Sequence, residues 1–206
     1  MQQEDLFRLV LCLGFAGVFP IALYYRLRSR VAGEKLNRRE EGTFILLTLR
    51  PIALVRIVGL VAYVIDPARM AWSSVPLPPW IRWCGIGIGV TAGVSLILVM
   101  RTLGPNLTDT VVTRAHHTLV MHGPYRWVRH PFYGACALAL TADSLVTANW
   151  FLAVAGALTL ALLVIRTRKE EENLLARFGD EYAAYMRRTG RFFPRPRVAT
   201  DAPEPR

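Results

Sequence analysis

The chain has 206 residues, of which 53% are hydrophobic, and it carries a formal net charge of +10. Its mean hydropathy of +0.31 is high for a soluble protein, and the apolar residues are gathered in long runs. The basic residues lie between those runs instead of covering one face of a soluble domain, which argues against a nucleic-acid binder. The composition therefore predicts an integral membrane protein.

Five apolar runs are candidates for membrane-spanning helices, which need about 20 mostly apolar residues each. In chain order they cover about residues 6–25, 43–65, 80–100, 131–146 and 150–165. So few residues separate the last two runs that they are predicted to form a tight antiparallel hairpin. The expected fold is an all-α integral membrane bundle of five transmembrane helices. It forms a single domain over residues 1–194, followed by a disordered, proline-containing tail at 195–206.

The distribution of Lys and Arg predicts how this bundle lies in the membrane. Residues 26–41, residues 101–130 and the chain after Ile165 are rich in these residues, whereas residues 66–79 contain only Arg69. Connections on the cytosolic side carry the excess of Lys and Arg. Five spans with the N-terminus outside and the C-terminus in the cytosol place every basic segment in the cytosol. Arginine far outnumbers lysine, which indicates a GC-rich bacterial genome, so the expected location is the bacterial cytoplasmic membrane.

Three glycines recur at intervals of four residues in the third run, at Gly85, Gly89 and Gly93. A ridge of small residues lets a neighbouring helix approach closely. Residues 85–89, GIGIG, resemble a dinucleotide-binding fingerprint, but no strand–helix–strand unit is predicted around them. We therefore interpret the glycines as a packing surface.

Polar and aromatic residues concentrate in two predicted cytosolic segments, about residues 115–134 and 166–194. In the first, Pro131 suits the first turn of a helix, so the fourth span is predicted to begin there. The unpaired N–H groups of that first turn then lie beside Arg129 and His130. A helix N-terminus next to two basic side chains can bind an anion or a carboxylate.

The second segment contains three adjacent carboxylates, residues 170–172. Glu171 shares a helical stripe with Leu175 and Phe178, so this stripe is expected to face the protein and Glu171 to be the buried carboxylate. The alternative is a solvated charge run whose carboxylates pair with the basic residues 166–169.

Four histidines lie within fifteen residues, at His116, His117, His122 and His130. Their spacing fits neither a His-Glu-x-x-His helix nor a Cys/His pattern of metal ligands. No metal site is predicted.

The two segments together carry a resemblance. Residues 122–134 read HGPYRWVRHPFYG, the pair Glu170–Glu171 follows, and Phe178-Gly179, Tyr182, Tyr185 and Pro194 complete the pattern. This pattern, over roughly residues 115–194, resembles the C-terminal signature of the isoprenylcysteine carboxyl methyltransferase family, whose wider group includes membrane phospholipid N-methyltransferases. The resemblance implies transmembrane helices with a cytosolic cofactor pocket formed by the C-terminal region, and S-adenosylmethionine as methyl donor.

The resemblance also implies roles for individual residues. Arg129 and Glu171 are the implied catalytic residues: Arg129 orients a carboxylate of the substrate or cofactor, and Glu171 closes the pocket from the last helix. We expect Glu171 to hold the ammonium or the ribose of the cofactor. Cofactor contacts are implied for His117, Leu119, Val120, Gly123, Pro124, Tyr125, His130, Tyr133 and Glu171. The implied acceptor is the carboxylate of a prenylcysteine-like or other lipid that enters from the bilayer.

Arg56 lies near the middle of the second span. Charged residues inside a membrane usually face the bundle interior or a cavity. We expect Arg56 to line a tunnel for the lipid substrate and to meet an acidic headgroup there, or else a helix carbonyl.

Three other functions stay open at this point. A lipid-amine or phospholipid N-methyltransferase would need a base, for which Glu171 is the candidate. Membrane sterol and enoyl reductases, which use a nicotinamide cofactor, have a partly similar basic and aromatic C-terminal region. A non-catalytic membrane module would use the glycine ridge to bind other spans, and it leaves the polar cluster without a role.

Overall fold

The computed structural model describes residues 3–31, 43–104 and 119–195. These residues form five long helices, which are α1 Gln3–Val31, α2 Thr43–Ile65, α3 Pro79–Leu103, α4 Pro131–Thr147 and α5 Trp150–Arg188. Short 3₁₀ helices at Pro67–Ser73 and Gly123–Arg126 precede α3 and α4. The all-α prediction is confirmed, and each helix contains one of the five predicted apolar runs. The predicted disordered tail at 195–206 lies, except for its first residue, outside the described residues.

Four helices are long and apolar enough to cross a membrane, namely Gln3–Ser29, Leu47–Ile65, Pro79–Leu103 and Trp150–Arg188. Their outward faces carry large apolar side chains such as Leu54, Val94 and Leu158, which are at least 50% exposed. Such faces suit contact with lipid rather than water. These features support an integral membrane protein. Helix α4 has 17 residues, a length of about 25 Å, so its role as a fifth span stays a prediction.

The glycine ridge of α3 packs inside this chain. A Cβ atom added at Gly85 would lie 2.8 Å from Leu145 Cβ, and one added at Gly89 would lie 3.4 Å from Ala142 Cβ. Both neighbours belong to α4, so the ridge is the surface on which α4 approaches α3. At Gly93 the added atom would lie 3.0 Å from Val18 Cγ2 of α1. The packing interpretation is confirmed, and this ridge is not left open for another protein.

The predicted hairpin between α4 and α5 is also confirmed. Ala148 adopts a left-handed conformation with φ 46°, which turns the chain. Asn149 then caps α5, because its Oδ1 accepts from the backbone N–H of Leu152 at 3.1 Å. Its Nδ2 donates to Ser73 Oγ at 2.8 Å, so the turn rests on the 3₁₀ helix before α3.

A buried arginine joins several helices at the same end of the bundle. Arg82 of α3 donates to Glu4 of α1 through both terminal nitrogens, at 2.7 and 3.0 Å. It also donates to Tyr63 Oη of α2 at 3.1 Å and to the backbone carbonyl of Val146 in α4 at 2.9 Å. Since α4 ends here, its beginning and the polar residues before it lie at the opposite end.

Candidate functional site

The approach to α4 is a tight turn that packs on the end of α3. Gly123 has φ 59°, in the left-handed region that favours glycine, and a Cβ atom there would lie 2.9 Å from Thr102 Oγ1. The following Tyr125 is buried. Its backbone carbonyl accepts a hydrogen bond from Tyr185 Oη at 2.6 Å, which ties the turn to the end of α5.

After α5 the chain runs back along this turn. Val128 and Gly190 form a parallel β-bridge. The backbone N–H of Arg129 donates to Gly190 O at 2.9 Å, and that of His130 donates to Arg191 O at 3.0 Å. We call residues 189–193 the return segment. It brings the Arg191 side chain to the beginning of α4, a placement that sequence spacing could not show.

Glu171 is the centre of the site. Its Oε1 accepts from Arg129 Nε at 2.9 Å and lies 3.1 Å from His130 Nε2. Its Oε2 accepts from Arg191 Nη2 at 2.8 Å. The side chain is buried, as predicted, whereas the neighbouring Glu172 is exposed and pairs with Lys169. The carboxylate therefore joins α5, the beginning of α4 and the return segment.

The predicted burial of the helical stripe that contains Glu171 is wrong for one of its residues. Leu175 was expected to face the protein with Glu171, but it is 44% exposed. Burial of Glu171 follows from its three polar contacts and does not need an apolar stripe beneath it.

Glu171 lies beyond the apolar part of α5, and its surroundings keep it ionised. Burial by itself raises the pKa of the carboxyl. Hydrogen bonds from His130 and Arg129, together with their charges, outweigh burial and lower the pKa of Glu171 to about 2. At neutral pH the site holds a charged carboxylate among three basic side chains, Arg129, His130 and Arg191.

Among the described residues, Arg129 makes hydrogen bonds through two of its three nitrogens. Besides the Nε contact with Glu171, its Nη1 donates to the backbone carbonyls of Met186 at 3.2 Å and Thr189 at 2.5 Å. The arginine thus also caps the carbonyl end of α5. These contacts do not use the two N–H groups of Nη2, and a carboxylate held by Arg129 would bind there.

Glu170 is a site residue that sequence reasoning passed over in favour of Glu171. Its Oε2 accepts from Tyr133 Oη at 2.8 Å. The Tyr133 ring packs near His130, with 5.5 Å between the ring centroids. The available signal was the adjacent pair of glutamates, since neighbouring helical positions point about 100° apart and can face two sides of one site.

The remaining predicted residues are distributed as follows. Pro124 lies in the turn with Gly123 and Tyr125, and the half-buried Leu119 and Val120 precede it. His117 lies outside the described residues. Arg56 is not part of this cluster. It forms an ion pair with Asp143 of α4, which the sequence analysis did not identify.

The sequence contains a recognisable signal for the ion pair between Arg56 and Asp143. Asp143 is an acidic residue inside an apolar run, as Arg56 is a basic one, and intramembrane charges are usually paired with each other. As for metals, the described part of the chain contains no group of three or more His, Cys, Asp or Glu side chains that could hold an ion.

The sequence model of the isoprenylcysteine carboxyl methyltransferase family matches residues 85–176. A solved structure of the eukaryotic intramembrane Ras methyltransferase of this family superposes with a TM-score of 0.51 at 25% identity. That superposition covers 70% of this chain and 51% of the other. The residues matched by the family model include α4 and the part of α5 that carries Glu170 and Glu171.

Three curated relatives bear different names. The cobalt-zinc-cadmium resistance protein CzcN of Cupriavidus metallidurans is 31% identical, over 55% of this chain and 54% of its own. The human protein-S-isoprenylcysteine O-methyltransferase is 30% identical, over 57% of this chain and 42% of its own. The methanethiol S-methyltransferase of Mycobacterium tuberculosis is 37% identical, over 36% of this chain and 30% of its own.

The chain spans about half the length of the curated relatives it matches first. The matched part holds the glycine ridge, the turn before α4 and both site glutamates. The predicted resemblance to the isoprenylcysteine carboxyl methyltransferase family is therefore confirmed over residues 85–176.

Proposed function

We propose that this protein transfers a methyl group from S-adenosylmethionine to the carboxylate of a lipophilic acceptor at the cytosolic face of the membrane. The observation that carries the proposal is the contact of Glu171 with Arg129 and His130. It joins the two halves of the signature that the sequence shares with the methyltransferase family. The relatives whose names state an activity are methyltransferases, which supports the same reaction type.

The residues of the site fit such a cofactor. When bound, S-adenosylmethionine supplies a methyl group activated on a sulfonium sulfur. Its ammonium and ribose hydroxyls suit carboxylates, and its own carboxylate suits basic side chains and helix N–H groups. The site contains both kinds of partner. Glu171 contacts Arg129, His130 and Arg191, and Glu170, the preceding residue on α5, accepts from Tyr133, whose ring lies beside His130.

We assign the contacts as follows. Glu171 already accepts from three basic side chains, so Glu170, which accepts from Tyr133, has more capacity left for an ammonium or a ribose hydroxyl. Glu171 then orients Arg129 and His130 and keeps the pocket closed from α5. The other proposed cofactor contacts are His117, Leu119, Val120, Gly123, Pro124, Tyr125, His130 and Tyr133.

Methylation of a carboxylate moves no proton, so the protein's task is to position the two reactants. Well-oriented reactants can gain about 7–11 kcal/mol from positioning alone. We propose that Arg129 holds the acceptor carboxylate through Nη2, while Nε and Nη1 stay bound to Glu171 and the end of α5. Because these contacts fix the guanidinium in place, Arg129 would orient the acceptor oxygen towards the methyl group of the cofactor.

The acceptor would enter from the bilayer. The basic residues that the structure describes at the end of α3, in the turn before α4 and on α5 beyond Ile165 lie at the end of the bundle where α4 begins, which supports a cytosolic site and a C-terminus in the cytosol. We propose that the Arg56–Asp143 pair lines the path of the lipid between α2 and α4.

A lipid amine is the second candidate acceptor. The observation that favours it is the adjacent pair of carboxylates, because Glu170 could accept the proton that an amine must lose. The nicotinamide-dependent reductase and the non-catalytic module are not favoured by the relatives, and the glycine ridge proposed for the module is covered by α4 and α1.

The test is calorimetric binding of S-adenosylhomocysteine to the detergent-purified protein and to Glu171→Ala and His130→Ala variants. Glu172→Ala is the matched control, since this neighbouring carboxylate is exposed. We expect binding by the wild type and the control, and binding at least tenfold weaker by the two site variants. A folded wild type that binds no S-adenosylhomocysteine would contradict the proposal.

A further inference from the structure

One buried hydroxyl group lacks a hydrogen-bond partner. Tyr182 is only 1% exposed, yet its Oη has no partner among the described residues. A buried polar group without a partner lowers the stability of the fold, and such groups are rare. When such a group lies next to a candidate site, a bound molecule can supply its hydrogen-bond partner.

Neighbouring tyrosines show that the fold normally provides such partners. Tyr185, one turn further along α5, donates to the backbone carbonyl of Tyr125 at 2.6 Å. Tyr133 donates to Glu170 at 2.8 Å. The rings of Tyr182 and Tyr185 pack against each other, with 5.9 Å between their centroids. Of these two neighbouring tyrosines, Tyr185 has a hydrogen-bond partner for its hydroxyl, whereas Tyr182 has none among the described residues.

Tyr182 lies next to the proposed cofactor site. Helix α5 breaks at Gly179, which has φ 50°, and its last two turns change direction there. Arg129 contacts both Glu171, before the break, and Met186, after it. Tyr182 is one turn before Met186 and therefore belongs to the part of α5 that Arg129 holds against the site.

The hydroxyl is a hydrogen-bond donor at neutral pH. Burial raises the pKa of Tyr182 well above its usual value, and the negative charges of Glu171 and Glu170 act in the same direction while Arg129 opposes them. The group therefore keeps its proton. The basic side chains Arg129, His130 and Arg191 make the same region suitable for an anionic oxygen.

We propose that Tyr182 is a further cofactor-binding residue, whose hydroxyl donates a hydrogen bond to the carboxylate at the amino-acid end of the bound S-adenosyl compound. This assignment rests on the proposed function and adds a residue and an orientation to it. The amino-acid end would point towards the last two turns of α5, and the nucleoside towards the turn before α4.

The experiment compares Tyr182→Phe with Tyr185→Phe in the full chain. Without ligand, Tyr182→Phe should leave the Tm unchanged or raise it, because the lost hydroxyl makes no hydrogen bond. Tyr185→Phe should lower the Tm, because it loses the bond to Tyr125. Tyr182→Phe should also bind S-adenosylhomocysteine roughly tenfold more weakly than wild type, the value for one charge-assisted hydrogen bond. Its affinity for 5′-methylthioadenosine, which lacks the amino-acid end, should not change.

Each other result overturns the assignment. Unchanged S-adenosylhomocysteine affinity in Tyr182→Phe, with a wild type that binds, would refute the role of Tyr182 and leave the proposed function standing. Equal weakening for both ligands would place the hydroxyl at the nucleoside. A lower Tm of the ligand-free variant would mean that the hydroxyl already has a partner. If the wild type binds neither ligand, the proposed function and this inference fail together.

Discussion

His130 and Glu171 are 41 residues apart in the chain, and their side chains lie 3.1 Å apart in the fold. His130 is the residue before α4, and Glu171 lies on α5 beyond its apolar part. The tight hairpin makes these helices antiparallel, so the start of α4 lies beside the middle of α5. The hairpin therefore brings the two residues to a similar level of the bundle, and the packing of α4 on α5 brings their side chains into contact.

Replacement of Glu171 by Gln should reduce stability in a pH-dependent way. The change leaves Arg129, His130 and Arg191 without their shared carboxylate, a loss on the order of 3 kcal/mol for a buried ion pair. Because folding lowers the pKa of Glu171 from 4.5 to about 2, its stabilisation is complete above pH 4.5 and is lost as the pH falls towards 2.

The measurement is the Tm in detergent for wild type and Glu171→Gln between pH 7 and pH 3. The two values should differ most at pH 7, and the difference should shrink steadily as the pH falls from 4.5 to 3. Glu172→Gln, at the exposed neighbouring position, should match the wild type throughout. A constant difference between wild type and Glu171→Gln across this range would show that the carboxylate charge is not what stabilises the site.

Alanine should be tolerated at one glycine of α3 and destabilising at another. At Gly85 the new Cβ would lie 2.8 Å from Leu145 Cβ, and overpacking of this kind costs about 1–3 kcal/mol. At Gly87 no atom lies within 4 Å, so alanine there should be neutral or stabilising by up to about 1 kcal/mol. Thermal unfolding of the two variants checks the prediction, and equal Tm values would contradict close packing of α3 on α4.

Arg191 should matter for cofactor binding, although it lies outside the segment matched by the family model. Arg191→Met removes the 2.8 Å contact with Glu171, and we expect S-adenosylhomocysteine to bind roughly tenfold more weakly. Arg191→Lys should recover part of the affinity, because an ammonium can also reach the carboxylate. Arg195→Met is the control, as Arg195 makes an exposed contact with Arg187 O. Equal affinities in all three variants would remove the return segment from the site.

Arg56→Ala should lower methyltransferase activity without lowering the affinity for S-adenosylhomocysteine, because Arg56 pairs with Asp143 and not with the site. The double variant Arg56→Ala/Asp143→Ala should be more stable than either single variant, because each single change leaves one charge unpaired. Tm values and initial rates test both statements. Weaker cofactor binding in Arg56→Ala would contradict a role confined to the lipid path.

Much of the architecture was predictable because it depends on local properties. The start of α4 at Pro131 follows from the fixed φ of proline, and the packing role of Gly85 follows from its missing side chain. The burial of Glu171 was predicted from helical periodicity, although the same stripe placed Leu175 wrongly at the protein interior. Periodicity describes one helix, whereas burial depends on what packs against it.

By itself, the sequence determined the five helices, the hairpin, the glycine ridge and the two polar segments, because run lengths, prolines, glycines and charge spacing act over a few residues. Only the tertiary structure decided which side chains meet. The return segment brings Arg191 to Glu171, the part of α5 after the break at Gly179 carries the buried Tyr182, and the packing of the bundle pairs Arg56 with Asp143. These contacts join residues far apart in the chain, and no local rule specifies them.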